Sequence, residues 1–150
     1  MPPPETWAPQ IFVAEDDRGV LDLLRTRLTV AGYQVGYARD GRDALQGITA
    51  RPPHAVLLDV NLPELDGFGV LKALKANTTT ARVPVMMMTA RQRAEDVRTA
   101  IALGANDYLA KPFRDEVLLL RLTRLLRARV TLPSPPDDVA PSPPDDVVLL

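Results

Sequence analysis

Five short apolar runs alternate with five stretches of helical spacing, and few folds accept that pattern. The runs are Ile11–Ala14, Val35–Ala38, Ala55–Leu58, Pro84–Met88 and Tyr108–Ala110. Among and after them, apolar residues recur at three- and four-residue intervals: Val20/Leu23/Leu24/Leu28, Ala44/Leu45/Ile48, Phe68/Leu71/Leu74, Val97/Ala100/Ile101 and Leu118/Leu122/Leu125/Leu126. A short strand that is apolar on successive positions has no wet face, so helices must cover the sheet on both sides. The pattern predicts an α/β fold: a doubly wound, five-stranded parallel sheet with five helices. Gly32 and Gly104 fall where the first and fourth helices should end.

A chain of 150 residues with 46% apolar and 25% charged residues suits one globular unit. Having no Cys, it has no disulfide scaffold, thiolate metal site or thiol nucleophile. A single His, His54, excludes multi-histidine metal sites and argues against a Ser-His-Asp triad. No apolar run approaches a membrane span, and the N-terminus lacks the basic and apolar regions of a secretion signal, so a cytoplasmic location is expected. The net charge of −1 includes four Asp (137, 138, 145, 146) in residues 131–150; without them the remainder stands at +3. That is too little for nucleic-acid binding through a broad basic surface.

Proline marks the edges: ten of the fifteen lie within Pro2–Pro9 or from Pro133 onward. Pro133–Val139 recurs at Pro141–Val147, a Pro/Asp-rich unit that cannot bury enough apolar surface to offset its ordering entropy. Residues 1–8 read as a leader, 9–131 as the folded domain, and 132–150 as a tail or linker of polyproline character that ends in Val147-Val148-Leu149-Leu150. No recognition helix, cyclase motif or hydrolase motif follows residue 131.

In open α/β sheets ligands gather beyond the carboxyl ends of the strands. There the sequence places Glu15-Asp16-Asp17, then Asp59, then Thr89-Ala90, then Lys111-Pro112-Phe113. An acidic pair after a strand is also what a helix N-cap looks like, and Asp17 suits that role. The combination carries more than its parts. Neighbouring carboxylates repel and need a cation; a hard oxygen donor set without imidazole or thiolate points to magnesium. Lys111 and Thr89 suit phosphoryl oxygens, one as a charge and one as a hydroxyl donor. The implied chemistry is attack of an Asp carboxylate on phosphorus to give an acyl phosphate.

Ile11-Phe-Val-Ala-Glu-Asp-Asp17, Leu57-Leu-Asp-Val-Asn-Leu-Pro-Glu-Leu-Asp-Gly67, Val85-Met-Met-Met-Thr-Ala90 and Gly104-Ala-Asn-Asp-Tyr-Leu-Ala-Lys-Pro-Phe113 together resemble the receiver domain of bacterial two-component response regulators, with its flavodoxin-like, CheY-like fold. The resemblance implies a phosphoacceptor at Asp59 and magnesium held by Glu15, Asp16, Asp59 and the backbone carbonyl of Asn61, with Asp16 the more direct of the acidic pair. It implies Thr89 and Lys111 as phosphoryl-binding residues and Tyr108 as the aromatic that turns inward on switching. Pro63, Gly67 and Pro112 would shape the loops, the last through a cis Lys111-Pro112 bond, and Asn61 and Arg91 would tune dephosphorylation. The donor would be a phosphohistidine on a sensor histidine kinase or histidine phosphotransfer protein. Such a module is not an enzyme beyond its own phosphorylation and dephosphorylation.

The family's output and dimer face usually comprises the fourth helix, fifth strand and fifth helix. In this sequence the positions of its usual ion pair hold Val97 and Val117, while Asp107 and Arg121 are retained. On a helical wheel Leu120 points away from the core face of the last helix, an ordinary event alone. Together these residues imply a more apolar homodimer contact centred on Val97, Val117 and Leu120.

His54, just before the third strand and at the opposite end of the sheet from the acids, reads as a turn or surface residue; Trp7 reads as a small docking contact of the leader. Met86-Met87-Met88 reads as strand core. Arg121, Arg124, Arg127 and Arg129 suit the C-terminal dipole of the last helix. An alternative from another class is a magnesium-dependent phosphatase or phosphotransferase, but the acid it needs two residues after the nucleophile is replaced by Asn61. A phosphorylation-independent scaffold is a third, disfavoured by the intact Asp/Thr/Lys set.

Overall fold

A computed structural model of the chain describes residues 8–90 and 93–131, with side chains as far as residue 127. Residues 1–7 of the leader, Trp7 among them, Arg91, the side chain of Arg129 and the Pro/Asp tail lie outside the described residues.

The elements alternate as expected: β1 (Gln10–Ala14), α1 (Arg18–Val30), β2 (Gln34–Ala38), α2 (Gly41–Ala50), β3 (Ala55–Asp59), α3 (Gly67–Ala76), β4 (Val85–Thr89), α4 (Ala94–Ala102), β5 (Asp107–Ala110) and α5 (Asp115–Thr131). One sheet takes the order β2-β1-β3-β4-β5, and every pairing is parallel. The fourth strand starts at Val85, one residue later than its apolar run, because Pro84 has no N–H to give the ladder; its carbonyl still accepts from Val56 N.

Alternation along the central strands sends successive side chains into two separate cores. Val56, Leu58 and Met87 join Ala44 and Ile48 of α2, Val70, Leu71 and Leu74 of α3, and Ala100 of α4. Leu57, Met86 and Met88 join Leu21, Leu24 and Leu28 of α1 and Leu118, Leu122 and Leu125 of α5. Each of the Val, Leu, Ile and Met side chains among them, taken fully out of water, contributes roughly 1.5–3 kcal/mol of burial, and the two Ala less. The Met triplet is core, as its sequence implies.

Two residues assigned to core faces by spacing lie outside them. Leu23 is 49% exposed, its place on α1 taken by Leu21, and Ile101 is 45% exposed. Both sit beside a true core position, and a short amphipathic helix does not distinguish adjacent rows until its tilt on the sheet is fixed. Asp17, Asp40 and Asp66 cap α1, α2 and α3 through their side chains, so each carboxylate also faces a helix N-terminus. Gly32 and Gly104 end α1 and α4 with positive φ, as expected. His54 extends the β1–β3 pairing at the far end of the sheet: its N–H donates to Gln10 O at 2.8 Å and its Nδ1 accepts from Gln10 N at 2.9 Å. Among the described residues no helix is long and apolar enough to cross a membrane.

Candidate functional site

The chain leaves β1 for β2 on one side and returns through β3 on the other, so a crevice opens at the carboxyl ends of β1 and β3. The register pairs Ala14 with Leu58, which sets Glu15 and Asp59 side by side at that edge. Both acids are almost fully buried, at 1% and 6% exposure. Thr89 ends β4 with its side chain buried, and its carbonyl accepts from Lys111 N at 2.9 Å. Lys111 then reaches back: Nζ donates to Glu15 Oε1 at 2.5 Å and to Asp59 Oδ2 at 3.1 Å. The Lys111-Pro112 bond is cis, as the resemblance implies.

The second oxygens of both acids are also occupied. Glu15 Oε2 accepts from Asp17 N at 3.0 Å, and Asp59 Oδ1 accepts a longer bond from Asn61 N at 3.3 Å. Burial pushes the Glu15 carboxyl above its ordinary value, an effect the Asp59 charge reinforces and the bonds from Lys111 and Asp17 oppose. Burial alone would lower Lys111; the bond to Glu15 and the charge of Asp59 outweigh it and hold the ammonium above its ordinary value. Lys111 is therefore a cation at neutral pH, bonded to both acids at the buried edge.

The loop after β3 folds back tightly on the strand. Gly67 N donates to Val60 O at 2.7 Å, and a Cβ on Gly67 would stand 2.2 Å from Asp59 O, so only glycine fits. Glu64 takes a positive φ of 72° in the same loop, following the exposed Pro63. The Asp16 side chain is exposed beside this edge and does not join the Lys111 cluster. Among the described residues no three acidic or imidazole side chains converge to cage a cation unaided. Magnesium does not require such a cage, since it keeps several waters and binds through one or two carboxylates.

The cluster joins Glu15, Asp59 and Lys111, and Thr89 ends β4 next to it, tied to Lys111 through its backbone carbonyl. Tyr108 is buried in the core beneath α4, its backbone carbonyl accepting from Arg121 at 3.3 Å. On the other expected surface, Val97 and Val117 are half-buried against opposite faces of the sheet, with the edge strand β5 in between. Leu120 is 55% exposed, and Arg121 Nη1 pairs with Asp107 Oδ1 at 3.0 Å. Burial raises the Asp107 carboxyl despite that partner. One contact left no mark in the sequence: Arg39, at the end of β2, donates to the carbonyl oxygen of Asp16. No periodicity or motif flags it, because it depends on how two loops meet.

With its parallel sheet and a cluster of buried acids and an ammonium at the topological switch point, the chain falls, by its family match, into the class of two-component receivers, which are signalling modules. The chain belongs to the response regulator receiver domain family, whose model matches residues 11–123. It is 44% identical over 131 residues to response regulator MprA of Mycolicibacterium vanbaalenii, covering 87% of this chain and 54% of that protein. The chain spans about half the length of the curated relatives it matches. Among solved structures, chemotaxis protein CheY4 of Vibrio cholerae superposes with a TM-score of 0.76 at 31% identity, covering 79% of this chain and 99% of that one. The receiver domain of sensor histidine kinase PA1611 from Pseudomonas aeruginosa, solved with a magnesium ion in its active-site cleft, matches with a TM-score of 0.75 at 31% identity, covering 80% and 98%.

Proposed function

We propose that Asp59 is the phosphoacceptor of this receiver, taking a phosphoryl group from a phosphohistidine of a sensor histidine kinase or histidine phosphotransfer protein. The observation that carries the reading is Lys111, whose one ammonium bonds both buried acids, Glu15 and Asp59. That ammonium stands within reach of any phosphoryl group placed on Asp59, and the negative charge it leaves unmatched calls for a further cation at the same edge.

An Asp59 carboxylate oxygen attacks phosphorus and the P–N bond to the donor imidazole breaks. The electron pair goes to the imidazole nitrogen, which then takes a proton from solvent. The product is an acyl phosphate carrying nearly two negative charges. Lys111 can follow that charge away from Glu15, and Thr89 donates its hydroxyl to a phosphoryl oxygen. Magnesium fits the all-oxygen donor set of Glu15, Asp16, Asp59 and the Asn61 carbonyl; when bound it neutralises charge on the phosphoryl oxygens. Asn61 and Arg91 tune the return of water to the acyl phosphate.

The new contacts exist only in the phosphorylated state and bias a two-state equilibrium toward it. Tyr108 and the α4-β5-α5 face carry the change outward, and a homodimer forms through Val97, Val117 and Leu120, with Asp107 and Arg121 at its rim. We assign the folded unit to 9–131 and its setting to the cytoplasm, without direct membrane or nucleic-acid contact by this segment. Incubation with magnesium and acetyl phosphate, followed by intact mass, tests the reading. One phosphoryl group on the native chain and none on Asp59→Asn is expected; equal labelling of both overturns it.

A further inference from the structure

The connection between β2 and α2 touches both loops that bear the acids. Ala38 O accepts from Glu15 N at 3.1 Å, and Gly41 N donates to Pro63 O at 3.0 Å. Between them, Arg39 sends Nη2 and Nε to the carbonyl oxygen of Asp16, at 3.1 and 3.3 Å. That carbonyl belongs to the same peptide unit as the Asp17 N–H, which donates to Glu15 Oε2 at 3.0 Å. One peptide is thus held from its two sides, by the buried carboxylate and by the guanidinium.

The Asp16 carboxylate is exposed and makes no hydrogen bond or ion pair among the described residues. No side-chain contact among the described residues holds it, so its place is fixed only through its backbone, at a bend outside both β1 and α1. We propose that Arg39 is a positioning residue for the divalent-cation site, fixing the Asp16–Asp17 peptide and so aiming the Asp16 carboxylate toward the crevice. This rests on the function proposed above, in which Asp16 serves a cation. A planar fork directed at one oxygen fixes a peptide in a way that a single ammonium cannot, so Lys is not an equivalent at this position.

The 150-residue chain, as wild type, Arg39→Ala and Arg39→Lys, is titrated with magnesium chloride by calorimetry at constant ionic strength, and unfolded thermally in chelator. Both variants should bind magnesium roughly tenfold more weakly, the loss typical of a group that orients a metal ligand. Their unfolding temperatures in chelator should match wild type, because Arg39 is exposed and a purely structural contact would not act through the metal. Two outcomes overturn the inference: unchanged affinity in both variants, or tighter binding by Arg39→Ala with wild-type affinity in Arg39→Lys, which would make the role one of charge. A wild-type chain that takes up no magnesium would instead overturn the proposed site, and this inference with it.

Discussion

Lys111 and Glu15 meet at 2.5 Å although their strands, β5 and β1, are separated in the sheet by β3 and β4. The lysine spans that width because β4 ends at Thr89, whose carbonyl holds Lys111 N, and the side chain passes over Asp59 on its way. Three of the sheet's five strands therefore end on one ammonium-carboxylate cluster. A change of charge on Asp59 is felt directly at β1 and β5.

Removing that ammonium leaves two buried carboxylates facing each other. Breaking a buried pair costs about 3–5 kcal/mol; Lys111 keeps some contact with water, so Lys111→Met should lose about 2–4 kcal/mol in chelator. Millimolar magnesium should return part of the loss, raising the variant's urea midpoint more than the wild type's. An unchanged midpoint in chelator would show that the cluster contributes no net stability.

The backbone packing at Gly67 should be as sensitive. The added methyl of Gly67→Ala would stand 2.2 Å from Asp59 O and 2.8 Å from Val60 Cα, and backbone atoms cannot swing aside as a side chain would. Overpacking costs about 1–3 kcal/mol. The shift needed to relieve it moves Asp59, so phosphoryl uptake should slow along with the stability loss. Urea unfolding and a mass time course read the two effects; normal uptake in a destabilised variant would uncouple the loop from the site.

Lys75 supplies a pH-dependent test of packing away from the site. Its ammonium donates to Ala81 O at 3.1 Å and Val83 O at 2.9 Å, and burial lowers its pKa below 10.5. Between that lowered value and 10.5 the unfolded chain binds the proton more tightly than the folded one, so stability gains as pH rises through the window. Lys75→Met lacks this gain. Wild type should therefore gain stability relative to the variant as pH rises from neutral toward 10.5, and a difference constant with pH would contradict it.

At the output face Leu120 is the most exposed of the apolar residues expected there, at 55%. Wild type treated with magnesium and acetyl phosphate should sediment as a dimer, and Leu120→Glu as a monomer under the same conditions. A monomer in both would remove self-association from the account, leaving the phosphorylation chemistry intact.

Much of this architecture was legible because it is local. Apolar runs, helix-ending glycines and acids placed just after strands are written at short range, and the strand ends of an open sheet converge by topology. Leu23 was read into the core and Leu21 missed because each flanks the Leu24/Leu28 row on a different side, and the rotation of the helix on the sheet, which no spacing states, decides which flank is buried. The Arg39–Asp16 contact joins the end of β2 to the turn after β1, and the Gly41–Pro63 bond joins two loops. Neither has a sequence signature, since both depend on the relative height at which separate loops leave the sheet.

The central claim is that a phosphoryl group resides on one Asp59 oxygen. Borohydride reduces an acyl phosphate of aspartate to homoserine, so treating the chain with acetyl phosphate and magnesium, then borohydride, and mapping its peptides reads the modified position directly. The account predicts homoserine at position 59 and at no other aspartate, with none formed when magnesium is chelated. Homoserine at Asp16 or elsewhere, or none at all from a folded, magnesium-loaded chain, would contradict it.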